Sequence, residues 1–108
     1  FGDILSDITS ALVGGVGLAP SANLNMEGVS MFEPVHGTAP DIYGQGIANP
    51  VAATLTAALL LDHLGCAQGA AAIRQAVEGA LEAGERTGDI GGSLSTHQCG
   101  EAIRKRLV

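Results

Sequence analysis

Apolar side chains recur at Ile4, Leu5, Ile8, Ala11 and Leu12, the spacing of an amphipathic helix over residues 3–13. Gly14, Gly15 and Gly17 end that pattern. Two short segments, 21–24 and 29–35, read as strands joined by a turn at 25–28. The run 51–64 is apolar almost all round, which predicts a buried helix. Asn49 is placed to cap it, Pro50 to take its first position and Gly65 to close it. A further stripe, Ile73, Val77, Ala80 and Leu81, predicts a helix over about 70–83, with Arg74, Gln75, Glu78 and Glu82 on its outer side. Ser95 and Gln98 have the spacing of a capping box, in which each side chain accepts the other's backbone N–H. That box starts a last helix running to about residue 107.

Two strands and four helices make an α/β arrangement, yet two strands alone make a poor sheet. The chain opens on Phe1 and shows no signal peptide, and we read its 108 residues as one portion of a longer protein that supplies the remaining strands. The long apolar run, at about 15 residues, falls short of the roughly 20 needed to span a bilayer, so no membrane partner is expected. Gly15-Val-Gly17 is not a dinucleotide-binding turn: it follows a helical pattern, and Pro20 stands where the third glycine belongs.

Hydrophobic residues make up 46% of the chain and aromatics only 3%, so the core is built from Ala, Val, Leu and Ile. The formal net charge of −6 argues against a nucleic-acid partner. Its distribution says more. All five basic residues (Arg74, Arg86, Arg104, Lys105, Arg106) follow position 73, while Asp3, Asp7, Glu27, Glu33, Asp41 and Asp62 precede it. Such acids suit either a solvated surface or a cation that the protein does not itself encode. Cys66 and Cys99 form no CxxC pair and read as free thiols in a reducing compartment, hence a cytoplasmic setting.

Two stretches carry candidate chemistry. Asp3 and Asp7, four residues apart, place both carboxylates on one face of a helix, Cβ atoms about 5–6 Å apart. An N-cap at Asp3 with a solvated Asp7 explains the spacing equally well. As a pair they are hard oxygen donors suited to Mg²⁺ or Mn²⁺. The second stretch is HGTAPDIYGQGIANP, residues 36–50, rich in turn-formers yet supplied with Ile42, Tyr43 and Ile47 to bury. Irregular runs of that length inside a domain are commonly functional.

Three blocks read together, FGDILSD, GLAPSANL and MFEPVHGTAPDIYGQGIANP, resemble the NAD(P)-dependent β-decarboxylating dehydrogenases, the isocitrate/isopropylmalate dehydrogenase family. The likeness continues through LLLDHLG and TGDIGGSLST. It implies the C-terminal part of the isopropylmalate dehydrogenase-like αβα fold, from a protein several times longer that is a homodimer. It also implies oxidation of a malate-like 2-hydroxy acid by NAD(P)⁺, followed by loss of the β-carboxylate as CO₂. A divalent cation there chelates the substrate and stabilises developing negative charge on oxygen.

By the same resemblance Asp3 and Asp7 match metal ligands. The 36–49 loop matches the segment that grips the adenosine half of the dinucleotide. Gly37, Thr38 and Ala39 match its close backbone approach, His36, Ile42 and Asn49 the adenine site, and Glu33 a position near the nicotinamide ribose. Asp41 matches the residue that accepts both ribose hydroxyls. A carboxylate there repels a 2′-phosphate, which implies NAD⁺ rather than NADP⁺. Tyr43 departs from the usual Ala, and the 25–30 turn is shorter than in many relatives. The catalytic Tyr and Lys and the substrate arginines of the family fall outside these 108 residues, so this chain alone is expected to be inactive. The wording of the third block leans toward the tartrate/D-malate type, with isopropylmalate and isocitrate close behind. A non-catalytic, nucleotide-binding regulatory relative is the alternative.

Overall fold

A computed structural model describes residues 18–107. The predicted helix over 3–13, with Asp3 and Asp7, lies outside the described residues. Strand β1 (Pro20–Asn23) pairs antiparallel with β2 (Met31–Pro34), Ser21 opposite Glu33 and Ala22 opposite Phe32. Val35 N–H donates to the Ala19 carbonyl and extends the ladder past both prolines. The connection is held by its own side chains: Asn25 Oδ1 accepts the Glu27 N–H, and Ser30 Oγ accepts the Asn25 N–H, each at 3.0 Å. Such local bonds replace ladder bonds and explain why Asn and Ser stop the strands here.

Helix α1 (Val51–His63) packs on the hairpin and on helix α2 (Ala67–Glu82). Gly65, at φ +85°, turns the chain between them as only glycine does without strain. Helix α2 begins earlier than its apolar stripe predicts. Its first turn holds Gly69, a residue that reads as loop in sequence, but a Cβ there would lie 3.2 Å from Leu61 Cδ1. The glycine lets the two helices approach. Helix α3 (Thr96–Lys105) packs on α2 and ends in a basic last turn, favourable beside the carbonyl end of a helix.

The core joins Val51, Ala76, Val77, Ala80, Cys99 and Ile103, with Leu18, Leu55, Ile73, Leu81 and Leu94 packed against it. Small side chains dominate it, as the low aromatic content requires. Burial and the nearby Asp89 and Glu85 carboxylates raise the Cys99 thiol above its ordinary value, so it stays protonated and donates to the Glu85 carbonyl at 3.7 Å. The expectation that α1 is buried all round needs correction. Val51, Ala52, Thr56 and Ala58 are buried, but Ala53, Ala57 and Leu60 are exposed. The hairpin and α2 cover one side of the helix, and nothing among the described residues covers the other. The hairpin likewise bares apolar surface at Met26 and Val29, 98% and 92% exposed. No described helix is long and apolar enough to cross a membrane.

The Ser95–Gln98 box forms as its spacing predicts, with bonds of 2.9 and 3.1 Å. Ser95→Ala is expected to cost about 1 kcal/mol. The check is a small fall in melting temperature, with the Ser95→Thr variant retaining most of the stability.

Candidate functional site

The loop 36–49 folds into an open cleft of about 820 Å³. Its curvature comes from left-handed backbone at Ala39 (φ 46°, ψ 63°), Gly44 and Gly46. Glycine takes this conformation freely, whereas alanine is strained there by about 1–2 kcal/mol. Ala39 leads directly into a single 3₁₀ turn, Pro40–Ile42, and Gln45 Nε2 donates back to the Asp41 carbonyl at 2.9 Å. His36 Nδ1 lies 2.9 Å from the Gly37 carbonyl oxygen. A carbonyl only accepts, so that nitrogen carries the proton.

Two long-range ties hold the loop. Thr96, the first residue of α3, donates its N–H to the Gly46 carbonyl at 2.8 Å and its hydroxyl to the Ala48 carbonyl at 2.5 Å. Asn49 does two things at once. Its Oδ1 accepts the Val51 N–H at 2.9 Å, a cap for α1, and its Nδ2 donates to Asp89 Oδ2 at 3.1 Å. The predicted cap therefore forms, with Val51 rather than Pro50 as the first helical residue, a boundary difference of one position.

The opposite wall is the segment 86–94, which closes on itself. Gly92 N–H donates to the Thr87 carbonyl and Leu94 N–H to the Arg86 carbonyl, both at 3.0 Å. Thr87, fully buried, donates its hydroxyl to Asp89 Oδ1 at 2.5 Å. Gly88, Asp89, Ser93 and Leu94 consequently face the cleft.

Of the residues that the sequence put forward for the dinucleotide, His36, Gly37, Thr38, Ala39, Ile42 and Asn49 line this cleft together. Asp41 does not line it, but stands exposed beside Ile42, which does. Glu33 does not line it either, and is exposed on β2 opposite Ser21. Asp89 was missed. Its signal in sequence was slight, a carboxylate within TGDIGG, and its partner Asn49 lies 40 positions away. Tyr43 is 87% exposed at the cleft.

The electrostatics are simple. Among the described residues, His36 and Asp89 are the titratable groups of the lining besides the Tyr43 phenol, and no Lys or Arg is part of it. Elsewhere Arg74 is paired with Asp62, Arg104 with Glu101 and Arg106 with Glu85. The hydrogen bond from Arg104 holds the Glu101 carboxyl below its usual range. Among the described residues no three His, Cys, Asp or Glu side chains gather as a metal site. The cleft is thus an apolar slot with a few polar edges, a form suited to a flat, neutral, heteroaromatic group.

Comparison with known proteins agrees with the resemblance. Residues 1–103 match the family described as isocitrate/isopropylmalate dehydrogenase. The chain is 53% identical over 106 residues to an isocitrate/homoisocitrate dehydrogenase of Thermus thermophilus, covering 98% of this chain and 31% of that protein. It is also 53% identical over 109 residues to a 3-isopropylmalate dehydrogenase of Anaeromyxobacter dehalogenans, covering 100% of this chain and 31% of that protein. The crystal structure of isocitrate dehydrogenase from Methylococcus capsulatus superposes with a TM-score of 0.89 at 42% identity, over 97% of this chain and 32% of that one. The chain therefore spans about a third of the length of the relatives it matches, and its αβ architecture is theirs. By sequence and by fold, it belongs to the isocitrate/isopropylmalate dehydrogenase family.

Proposed function

We propose that the full-length protein carrying this chain is an NAD⁺-dependent, Mg²⁺- or Mn²⁺-dependent dehydrogenase that oxidatively decarboxylates a malate-like 2-hydroxy acid. Tartrate or D-malate, 3-isopropylmalate and isocitrate are the candidate substrates. The observation that carries this reading is the cleft itself, about 820 Å³, whose lining among the described residues offers no Lys or Arg. A 2′-phosphate needs such a cation, whereas an unphosphorylated adenosine does not.

In this reading adenine enters between Ile42 and Leu94, both on the lining. Backbone groups at Gly37, Thr38 and Ala39 approach the sugar and phosphates, Asp41 accepts the ribose hydroxyls from the rim, and Glu33 stands toward the nicotinamide side. Strained backbone at Ala39 fixes that approach before the cofactor arrives, which lowers the ordering cost of binding. Asp3 and Asp7 are the proposed metal donors. Two carboxylates form a hard oxygen set that fits Mg²⁺ or Mn²⁺ and leaves positions for substrate oxygens. When bound, such a cation polarises the substrate's oxygens and stabilises negative charge as CO₂ departs. This chain alone is inactive in our reading, and the whole protein is a cytoplasmic homodimer.

The test is turnover by the full-length protein with each candidate acid, following NADH formation and CO₂ release together. Equal yields that need Mg²⁺ or Mn²⁺ and cease on chelation are expected. Tight NAD⁺ binding without either product would instead identify a regulatory relative.

A further inference from the structure

The two halves of loop 36–49 are held by different means. The first half is tied to itself. Ile42, Tyr43 and Gln45 donate their backbone N–H groups to the carbonyls of Ala39, Pro40 and Ile42, and the Gln45 amide returns to the Asp41 carbonyl. Residues 46–48 have no such bonds. Among the described residues their backbone is bonded only by Thr96, which gives its N–H to the Gly46 carbonyl at 2.8 Å and its hydroxyl to the Ala48 carbonyl at 2.5 Å. Gly46, Ile47 and Ala48 all line the cleft, whereas Thr96 does not. The tie also serves the helix. Thr96 is the first residue of α3, behind the Ser95 cap, and the N–H groups of a first helical turn find no carbonyl within the helix. Ser95 Oγ accepts the Gln98 N–H, and the Gly46 carbonyl accepts that of Thr96.

We propose that Thr96 is a positioning residue for cofactor binding. It acts through the Gly46 and Ala48 carbonyls, and it holds residues 46–48 in their bound arrangement before the dinucleotide arrives. It touches no ligand itself. This rests on the reading of the cleft as the adenosine site. The physical basis is preorganisation. A wall segment without bonds of its own has to be ordered when the ligand binds, and the free energy of that ordering is subtracted from affinity. Gly46 adds to the cost of losing the tie, because its left-handed backbone (φ 69°) is one of several conformations open to glycine. Without the Thr96 hydroxyl the Ala48 carbonyl loses its partner, and competing arrangements of the wall become populated.

The experiment uses the full-length protein and three substitutions. Thr96→Val keeps the shape without the hydroxyl, and Thr96→Ser keeps the hydroxyl. Thr96→Pro removes both donors yet suits a first helical position, and Ser95 already has the extended backbone that precedes proline. Losing one hydrogen bond is expected to raise KM for NAD⁺ about five- to tenfold in Thr96→Val. Thr96→Pro should raise it further, and Thr96→Ser should stay near wild type. KM for the 2-hydroxy acid is expected to change far less than KM for NAD⁺. Hydrogen exchange at the amides of 46–48 should quicken in the Val and Pro variants alone. If neither that exchange nor KM for NAD⁺ moves in Thr96→Val and Thr96→Pro, the proposal is overturned and the adenosine site stands. Faster exchange with an unchanged KM overturns the adenosine site and the proposal with it. A KM for NAD⁺ raised as much in Thr96→Ser as in Thr96→Val, or raised together with that for the acid, traces the effect to general packing and overturns the proposal alone.

Discussion

Replacing Gly92 with alanine is expected to destabilise the protein by about 3 kcal/mol or more, the largest loss foreseen for a methyl group added at any described glycine. A Cβ at that position would lie 1.9 Å from the Arg86 carbonyl oxygen and 2.3 Å from its carbon. The obstacle is backbone, so no rotamer change relieves it. Segment 86–94 would have to open, breaking the Gly92-to-Thr87 and Leu94-to-Arg86 hydrogen bonds that close it. Asp89 and Leu94 would then leave the cleft wall. Gly91 next door is the control. It has φ +85° and open space around its missing Cβ, so alanine there meets only the torsional penalty, about 1–2 kcal/mol. The check is thermal or urea unfolding of both variants. If Gly91→Ala proves as damaging as Gly92→Ala, close contact is not what requires glycine at 92.

Much of this was legible before any coordinates, and the pattern of what was legible has a physical cause. The Ser95–Gln98 box, the Asn49 cap, the Asn25 turn and the buried stripe of α2 all depend on groups within four residues of one another. Local bonds of that kind leave a spacing in the sequence. Two misses came from reading composition without neighbours. The predicted helix over about 70–83 left out Gly69, which sits in the first turn of α2 where a Cβ would meet Leu61. The apolar circumference of α1 implied complete burial, yet burial also needs partners, and the hairpin and α2 reach one side only.

The site divides in the same way. Loop 36–49 could be singled out from its turn-formers and its resemblance to a family segment, and six of its proposed residues do share one cleft. The far wall could not. Asp89 meets Asn49, and Thr96 meets Ala48, across 40 and 48 positions of chain. No local spacing encodes such contacts. Glu33 and Asp41 were singled out by resemblance alone, and neither lines the cleft, Asp41 standing exposed at its rim beside Ile42, which does.

That rim position decides what Asp41 can do to cofactor choice. In the full-length protein, Asp41→Lys is expected to move the ratio of kcat/KM for NADP⁺ over NAD⁺ upward by about 10²-fold. The substitution removes one negative charge and adds one positive charge beside the ribose, while a 2′-phosphate carries close to two negative charges. At an exposed site each pair of unit charges a few ångströms apart is worth on the order of 1 kcal/mol, and salt reduces that further. Several such pairs leave roughly 2–4 kcal/mol after screening, and every 1.4 kcal/mol is tenfold. On the proposed reading, NAD⁺ loses in parallel the carboxylate that accepts its ribose hydroxyls. Asp41→Asn separates the two effects, since it deletes the charge but keeps an acceptor. It is expected to raise the ratio about tenfold, mostly by relieving repulsion of the phosphate. Because the effect is electrostatic and solvent-exposed, the Lys variant's gain for NADP⁺ should shrink as ionic strength rises, whereas a change in cleft shape would persist in salt. A ratio unmoved by either substitution would take Asp41 out of the ribose site, and a ratio that moves without salt dependence would assign its effect to packing rather than charge.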